Sequence, residues 1–240
     1  MDRSFLSRPE VVQASRKFVC IRLATYESFE EAQVLRSIFV GGSGQVENTT
    51  FALLSPDGKT PLARSGRSPN WSFAQAKEMA LSMDRIANYY RGRPIGSAPL
   101  PAVANLRLAV NVGACDNLPV VALLSDNPNT VRLARVAWEP ALLGRAVYTV
   151  DRPSAAARLV SGGLKPGLYV LQPGTYGQDA RVLASLEAES PDLSAELTRA
   201  LDLYRYRAKD PGPHIREGNQ RGVYWQTQIP VTDPNPRPPR

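Results

Sequence analysis

Two stretches of the chain, FALLSP from Phe51 to Pro56 and LYVLQP from Leu168 to Pro173, share one local pattern. Each is a short apolar run closed by a proline-led turn, with a return stretch and then a helix-period segment behind it. A doubled sequence of strand, tight turn, strand and helix confines the fold to the α/β class, with each copy ending its sheet in an antiparallel hairpin. A length of 240 residues with 43% hydrophobic content gives each copy enough apolar material for its own core.

Elements upstream of each hairpin follow from caps and periodicity. Ser7-Arg8-Pro9-Glu10 opens a helix through about Lys17, and FVCIRLATY (Phe18 to Tyr26) reads as a strand with Cys20 as a buried small hydrophobe. Ser28-Phe29-Glu30-Glu31 opens a helix to about Phe39, and GGSGQVEN is loop. After the first hairpin, Ser72-Phe73-Ala74-Gln75 starts a helix to about Arg91 that buries Phe73, Ala76, Ala80, Met83, Ala87 and Tyr90. Met79 and Met83 are core filler rather than metal ligands.

In the second half, LRLAVNV, PVVALLS, RAVYTVD, GLYVLQP and ARVLASLE read as strands. Helices are expected from Asn127 to about Trp138, over 153–161, and from Ser190-Pro191-Asp192 to about Arg207. These readings divide the chain into a domain at 1–92, a Pro/Gly-dense linker at 93–104, a domain at 105–208, and a proline-rich arm and tail at 209–240. The last segment has too little apolar periodicity for a core of its own, so it is expected to lie extended, tethered by Val223, Tyr224, Trp225 and Ile229.

Composition excludes several function classes. No apolar run approaches the roughly 20 residues of a membrane span. The net charge of +7 is spread as 13 Lys/Arg against 9 Asp/Glu over 1–97, 11 against 10 over 98–208 and 5 against 3 over 209–240, without a Lys/Arg run, so no specific nucleic-acid partner is expected. Cys20 and Cys115 form no Cys-x-x-Cys pair and leave no basis for a zinc site. The one histidine, His214, lies in a Pro/Gly-rich segment and reads as solvated. No catalytic residue, metal or cofactor is assigned.

With these elements in place, the pattern resembles the thioredoxin fold. MDRSFLSRPEVVQASRKFVCIRLATYE is similar to the segment that follows the redox pair in that family, and LLSPDGK with the following RSG resembles its hairpin. The particular likeness is to bacterial tandem thioredoxin-like proteins of the planctomycete type. It implies two thioredoxin-like domains, each a mixed central sheet flanked by helices, the first without its leading strand and its Cys-x-x-Cys. The family's groove is shaped by a cis-proline before the hairpin. That place falls on Thr49 in the first half and on Pro166 in the second, where Asn127 and Thr130 occupy the matching helix start without a cysteine. Cys115, in what reads as a loop beside Asp116, is the candidate reactive thiol, though a poor nucleophile.

The functional expectation is a redox-inactive module that binds a protein or an extended peptide, as an assembly subunit or homo-oligomer. The alternative is a thiol-disulfide oxidoreductase whose Cys-x-x-Cys lies upstream of Met1. The compartment follows the same fork: exported if a signal lies upstream, otherwise cytoplasmic.

Overall fold

The computed structural model describes residues 2–21, 23, 29–39, 50–90, 98–207 and 210–223. The described residues fall into two compact units, one within 2–90 and the other within 98–223.

In the first unit, a π-helical turn, Asp2–Leu6, leads into α1, Pro9–Ser15, which starts on a proline at its first position. Two further helices follow, α2 at Phe29–Ile38 and α3 at Ala76–Tyr89. The core forms where Val11 and Ala14 of α1 and Phe5 meet Ala76, Met79, Ala80 and Met83 of α3, with Leu53 and Phe73 alongside. Met79 and Met83 are 1% and 3% exposed, so both fill core volume as their spacing indicated. Ala87 and Tyr90 are only half-buried.

The expected first hairpin exists as a loosely paired return. Phe51 and Gly66 exchange backbone hydrogen bonds at 2.7 and 3.1 Å, and the Leu62 N–H donates to the Leu53 carbonyl at 2.7 Å. Its turn holds because Gly58 takes φ +71° and the Asp57 carboxylate accepts the Lys59 N–H at 3.0 Å. Ladder contacts reduce to isolated bridges, Phe51 with Gly66 and Leu54 with Pro61. The expected strand at FVCIRLATY does not form among its described residues: Val19 is 55% and Ile21 75% exposed, so this alternation has no sheet to pack on. No extended strand occurs among the described residues of this unit.

The second unit is a five-stranded mixed sheet flanked by helices. In chain order it runs β1 (Ala102–Val103), α4 (Leu106–Asp116), β2 (Val120–Leu124), α5 (Val131–Ala137), β3 (Val147–Asp151), a 3-10 segment Pro153–Arg158, β4 (Gly167–Pro173), β5 (Ala180–Leu186), α6 (Leu193–Leu201) and α7 (Pro211–Gln220). The strands lie in the order β1-β3-β2-β4-β5. β1, β3 and β2 are parallel, whereas β4 and β5 join antiparallel. β2 is buried at every residue, as a central strand covered on both faces must be. One face carries Val121, Leu123, Tyr148, Leu168 and Val170 against α5 and α6. The other carries Val120, Ala122, Leu124 and Leu171 against α4 and the 3-10 segment. The β4–β5 register slips between Val170 and Leu171, which pair with Ala184 and Val182 and leave Leu183 as an extra residue.

Several expectations are corrected here. LRLAVNV is the body of α4, not a strand: the Asn105 side chain caps it by accepting the Leu108 N–H at 2.8 Å, and Leu106, Ala109, Val110 and Gly113 form one buried stripe at helical spacing. The first strand of the sheet is instead β1, inside the stretch read as linker. Residues 211–220, expected to lie extended, form α7, started by the Asp210 side chain accepting the Gly212 N–H at 3.2 Å with Pro211 at the first position. The helix expected over 153–161 is the 3-10 segment, and α5 and α6 are shorter than their periodicity indicated.

No helix among the described residues is long and apolar enough to cross a membrane.

Candidate functional site

β2 and β4 run antiparallel with Leu124 opposite Gly167, so one step further along the same register Ser125 comes opposite Pro166. The loop from Ser125 into α5 and the residue that leads into β4 therefore share one end of the sheet. Asn127 and Thr130 lie in the stretch between β2 and α5, and Pro166 directly precedes β4. Thr49 lies outside the described residues. No cis peptide bond occurs among the described residues, so Pro166 is trans and the expectation of a cis-proline is corrected.

The loop is organised by its own polar groups. The Asn127 N–H donates to Ser125 Oγ at 3.1 Å, the Val131 N–H to Asn129 Oδ1 at 3.2 Å, and Asn129 Nδ2 to Glu189 Oε1 at 3.3 Å. Thr130 is the N-cap of α5 through its carbonyl, which accepts the Ala134 N–H at 2.7 Å, while its hydroxyl makes no cap bond. Asp151, at the end of β3, ties this end together. Its carbonyl accepts the Ser125 N–H at 2.9 Å, and its carboxylate accepts the Leu106 and Arg152 N–H groups, each at 2.8 Å. The start of α4 is thus closed by the protein itself. Asp126, Asn127 and Pro128 stay exposed, beside an exposed Pro166. This edge of polar side chains and proline can hydrogen-bond and pack against an extended chain, but it contains neither a thiol nor an imidazole.

Both cysteines are placed differently from expectation. Cys115 belongs to the last turn of α4 rather than to a loop, and it is exposed. A thiol activated by a helix stands at the N-terminal end, and Cys115 stands at the other. Cys20 is also exposed instead of buried mid-strand, with Sγ 3.7 Å from the Ser15 carbonyl. No group of His, Cys, Asp and Glu suited to hold a metal occurs among the described residues.

At the opposite end of β2 lies a feature the sequence reading missed. Asn117, just past α4, adopts the left-handed conformation with φ 59°. Its carboxamide donates to the Arg207 carbonyl at 2.7 Å and accepts the Arg207 N–H at 3.2 Å and the Tyr204 hydroxyl at 2.8 Å. This clamp holds the stretch after α6 against the sheet end. A groove of about 440 Å³ opens beside it, lined by Leu118, Pro119, Leu201, Tyr204 and Tyr206 and closed by the Arg145–Asp202 ion pair. Burial raises the Tyr204 phenol above its ordinary range, with Arg207 opposing the shift. The signal available in the sequence was Asn117 itself, a polar residue directly after a helix-period stripe, where a left-handed stop is favoured.

His214 is likewise not simply solvated. Its ring stacks on Tyr176 at 4.7 Å between centroids and 13° between planes, and the Arg221 guanidinium lies 5.7 Å from the same tyrosine ring. Burial, followed by a hydrogen bond with Glu217, raises the Tyr176 phenol. α7 is thereby docked on the β4–β5 turn, which in turn packs on α4 through Gly177. Arg107 of α4 donates to the Gly177 carbonyl, and its partial burial lowers its basicity.

No family model, curated protein or solved structure matches this chain, so the functional reading rests on the geometry above.

Proposed function

We propose that the chain is a redox-inactive tandem thioredoxin-like protein that binds a protein or an extended peptide. The strand order β1-β3-β2-β4-β5, with a helix after β2 and a closing antiparallel pair, supports the thioredoxin-like reading of the second unit. The parallel between the Phe51–Gly66 return followed by α3 and the β4–β5 pair followed by α6 supports the tandem reading. The observation that carries the function is the end of the sheet where β2 meets α5. Where such a fold would hold its dithiol stand Asp126, Asn127, Pro128, Asn129 and Thr130, next to Pro166 and without sulfur. A groove edge that keeps its polar rim and lacks its nucleophile retains recognition and loses electron transfer.

Selection of a random linear peptide library on the purified chain tests this reading. Enriched peptides should bind saturably and lose at least tenfold in affinity when Thr130→Arg and Asn127→Arg fill the rim. Equal enrichment on the rim variant would reject the assignment. Turnover in an insulin-reduction assay, lost on Cys115→Ser, would reject the redox-inactive part.

A further inference from the structure

We infer that the peptide link between Asp57 and Gly58 in the first unit is a modification site opened by unfolding: an isoaspartyl linkage forms there once the hairpin turn comes apart and is suppressed while the turn is intact. This goes beyond the peptide-binding reading, which rests on the second unit. Asp57 and Gly58 make the one Asp-Gly pair of the chain, and the sequence has no Asn-Gly pair. A glycine after an aspartate has no Cβ to obstruct the approach of its own nitrogen to the carboxyl carbon. The surroundings add no obstacle, since nothing lies within 4 Å of where a Cβ on Gly58 would stand, and residues 56–60 are exposed to water.

The step balances with water as its only reagent. The Gly58 nitrogen bonds to the Asp57 Cγ, the carboxyl hydroxyl leaves as water with the amide proton, and a cyclic imide results. Water then adds to the imide. Where it breaks the bond between that nitrogen and the Asp57 main-chain carbonyl, the chain continues through Cγ with an extra methylene. The folded turn opposes each requirement. The Gly58 N–H is held by the Ser55 carbonyl at 2.8 Å, so the nitrogen must first leave that bond. The carboxyl must be protonated to release water, yet the Ser55 hydroxyl and the Lys59 N–H, the latter at 3.0 Å, both donate to Asp57 Oδ1 and hold the carboxyl below its ordinary range. The Ser55 hydroxyl is itself positioned by the Thr60 N–H at 3.0 Å. An extra methylene would fall between Ser55 and Thr60, where the Ser55 N–H donates to the Thr60 carbonyl at 2.9 Å. A molecule that isomerises while unfolded therefore loses the register of this return, and with it the placing of Leu53 in the core.

Incubation of the full chain at mildly acidic pH, with and without urea, tests this when the Asp57 peptide is then separated by chromatography and its linkage read by electron-transfer fragmentation. One net hydrogen bond corresponds to about a fivefold factor, so release of all three should speed isomerisation in urea by on the order of a hundredfold over the folded chain. Ser55→Ala, which removes the hydroxyl, should isomerise about fivefold faster than wild type while keeping its circular dichroism spectrum, and Ser55→Thr, which keeps a hydroxyl, should match wild type. The pH below which the rate climbs should also be lower in the folded chain than in urea. Equal rates with and without urea, or pH profiles that coincide, overturn the proposal whether or not the alanine variant folds. A folded alanine variant as slow as wild type overturns the part assigned to Ser55.

Discussion

Tyr148 on β3 offers the most direct measure of how this core handles a polar group. The residue is 3% exposed, and its hydroxyl has no hydrogen-bond partner among the described residues. Burial pushes its pKa from 10.0 up to about 12, with Arg145 opposing and Glu139 adding to the shift. An unsatisfied buried hydroxyl costs on the order of 1–3 kcal/mol, so Tyr148→Phe should stabilise the second unit by about 1 kcal/mol near pH 8. The pH dependence gives a second, independent handle. Below pH 10 the phenol is neutral in both states. Between about pH 10 and about pH 12 the unfolded chain ionises while the folded one does not, so stability falls as pH rises. Each unit of that shift corresponds to about 1.4 kcal/mol, so at pH 11 the wild type has lost about 1.4 kcal/mol that the phenylalanine variant keeps. The difference between the two proteins in urea denaturation should therefore grow from about 1 kcal/mol at pH 8 to about 2.5 kcal/mol at pH 11. A variant that is less stable at pH 8, with a difference that stays flat to pH 11, would refute both the missing partner and the raised pKa.

Three further outcomes follow from the described contacts. Asn117→Ala removes the carboxamide clamp and puts at φ 59° a residue that tolerates the left-handed conformation less well than asparagine, and should cost about 2–3 kcal/mol in chemical denaturation, whereas Asn117→Gly should recover the part due to conformation. Gly177→Ala should destabilise by more than about 1 kcal/mol, because the position has φ +65° and an added Cβ would sit 2.8 Å from the Asn111 Cα; a melting temperature equal to wild type would contradict this packing. Maleimide labelling of the native protein should modify both Cys20 and Cys115 without denaturant, and protection of either thiol would contradict its exposure.

The strands of the second unit were legible because burial and branching coincide in them. PVVALLS, RAVYTVD and GLYVLQP are continuous apolar runs bounded by turn residues, and all three form strands. α4 was not legible as a helix because Leu106, Leu108, Val110 and Val112 alternate as in a strand, while Leu106, Ala109, Val110 and Gly113 fit a helical stripe; the Asn105 cap decided between the two. FVCIRLATY had the reverse fault, a strand-like composition without a neighbouring strand to pair with among the described residues. α7 was hidden by Pro211, Gly212, Pro213 and Gly218, which make a poor helix by propensity. Its docking comes from Tyr176, a residue 38 positions from His214, and no local pattern reports such a pair. For the same reason the Asn117 clamp, joining positions 90 residues apart, left no local pattern beyond Asn117 itself.

The extra residue at Leu183 has a consequence for how molecules of this protein meet in a crowded solution. Val182 and Ala184 pair with Leu171 and Val170, neighbours on opposite faces of the sheet, so the inside-outside alternation of β5 reverses parity halfway along. A copy approaching by two-fold symmetry would have to match inward positions with inward ones along the whole strand. On either side of Leu183 that matching fails. β5 is seven residues long and borders the sheet, yet this slip denies it a self-complementary register, and with it a template for runaway fibre growth.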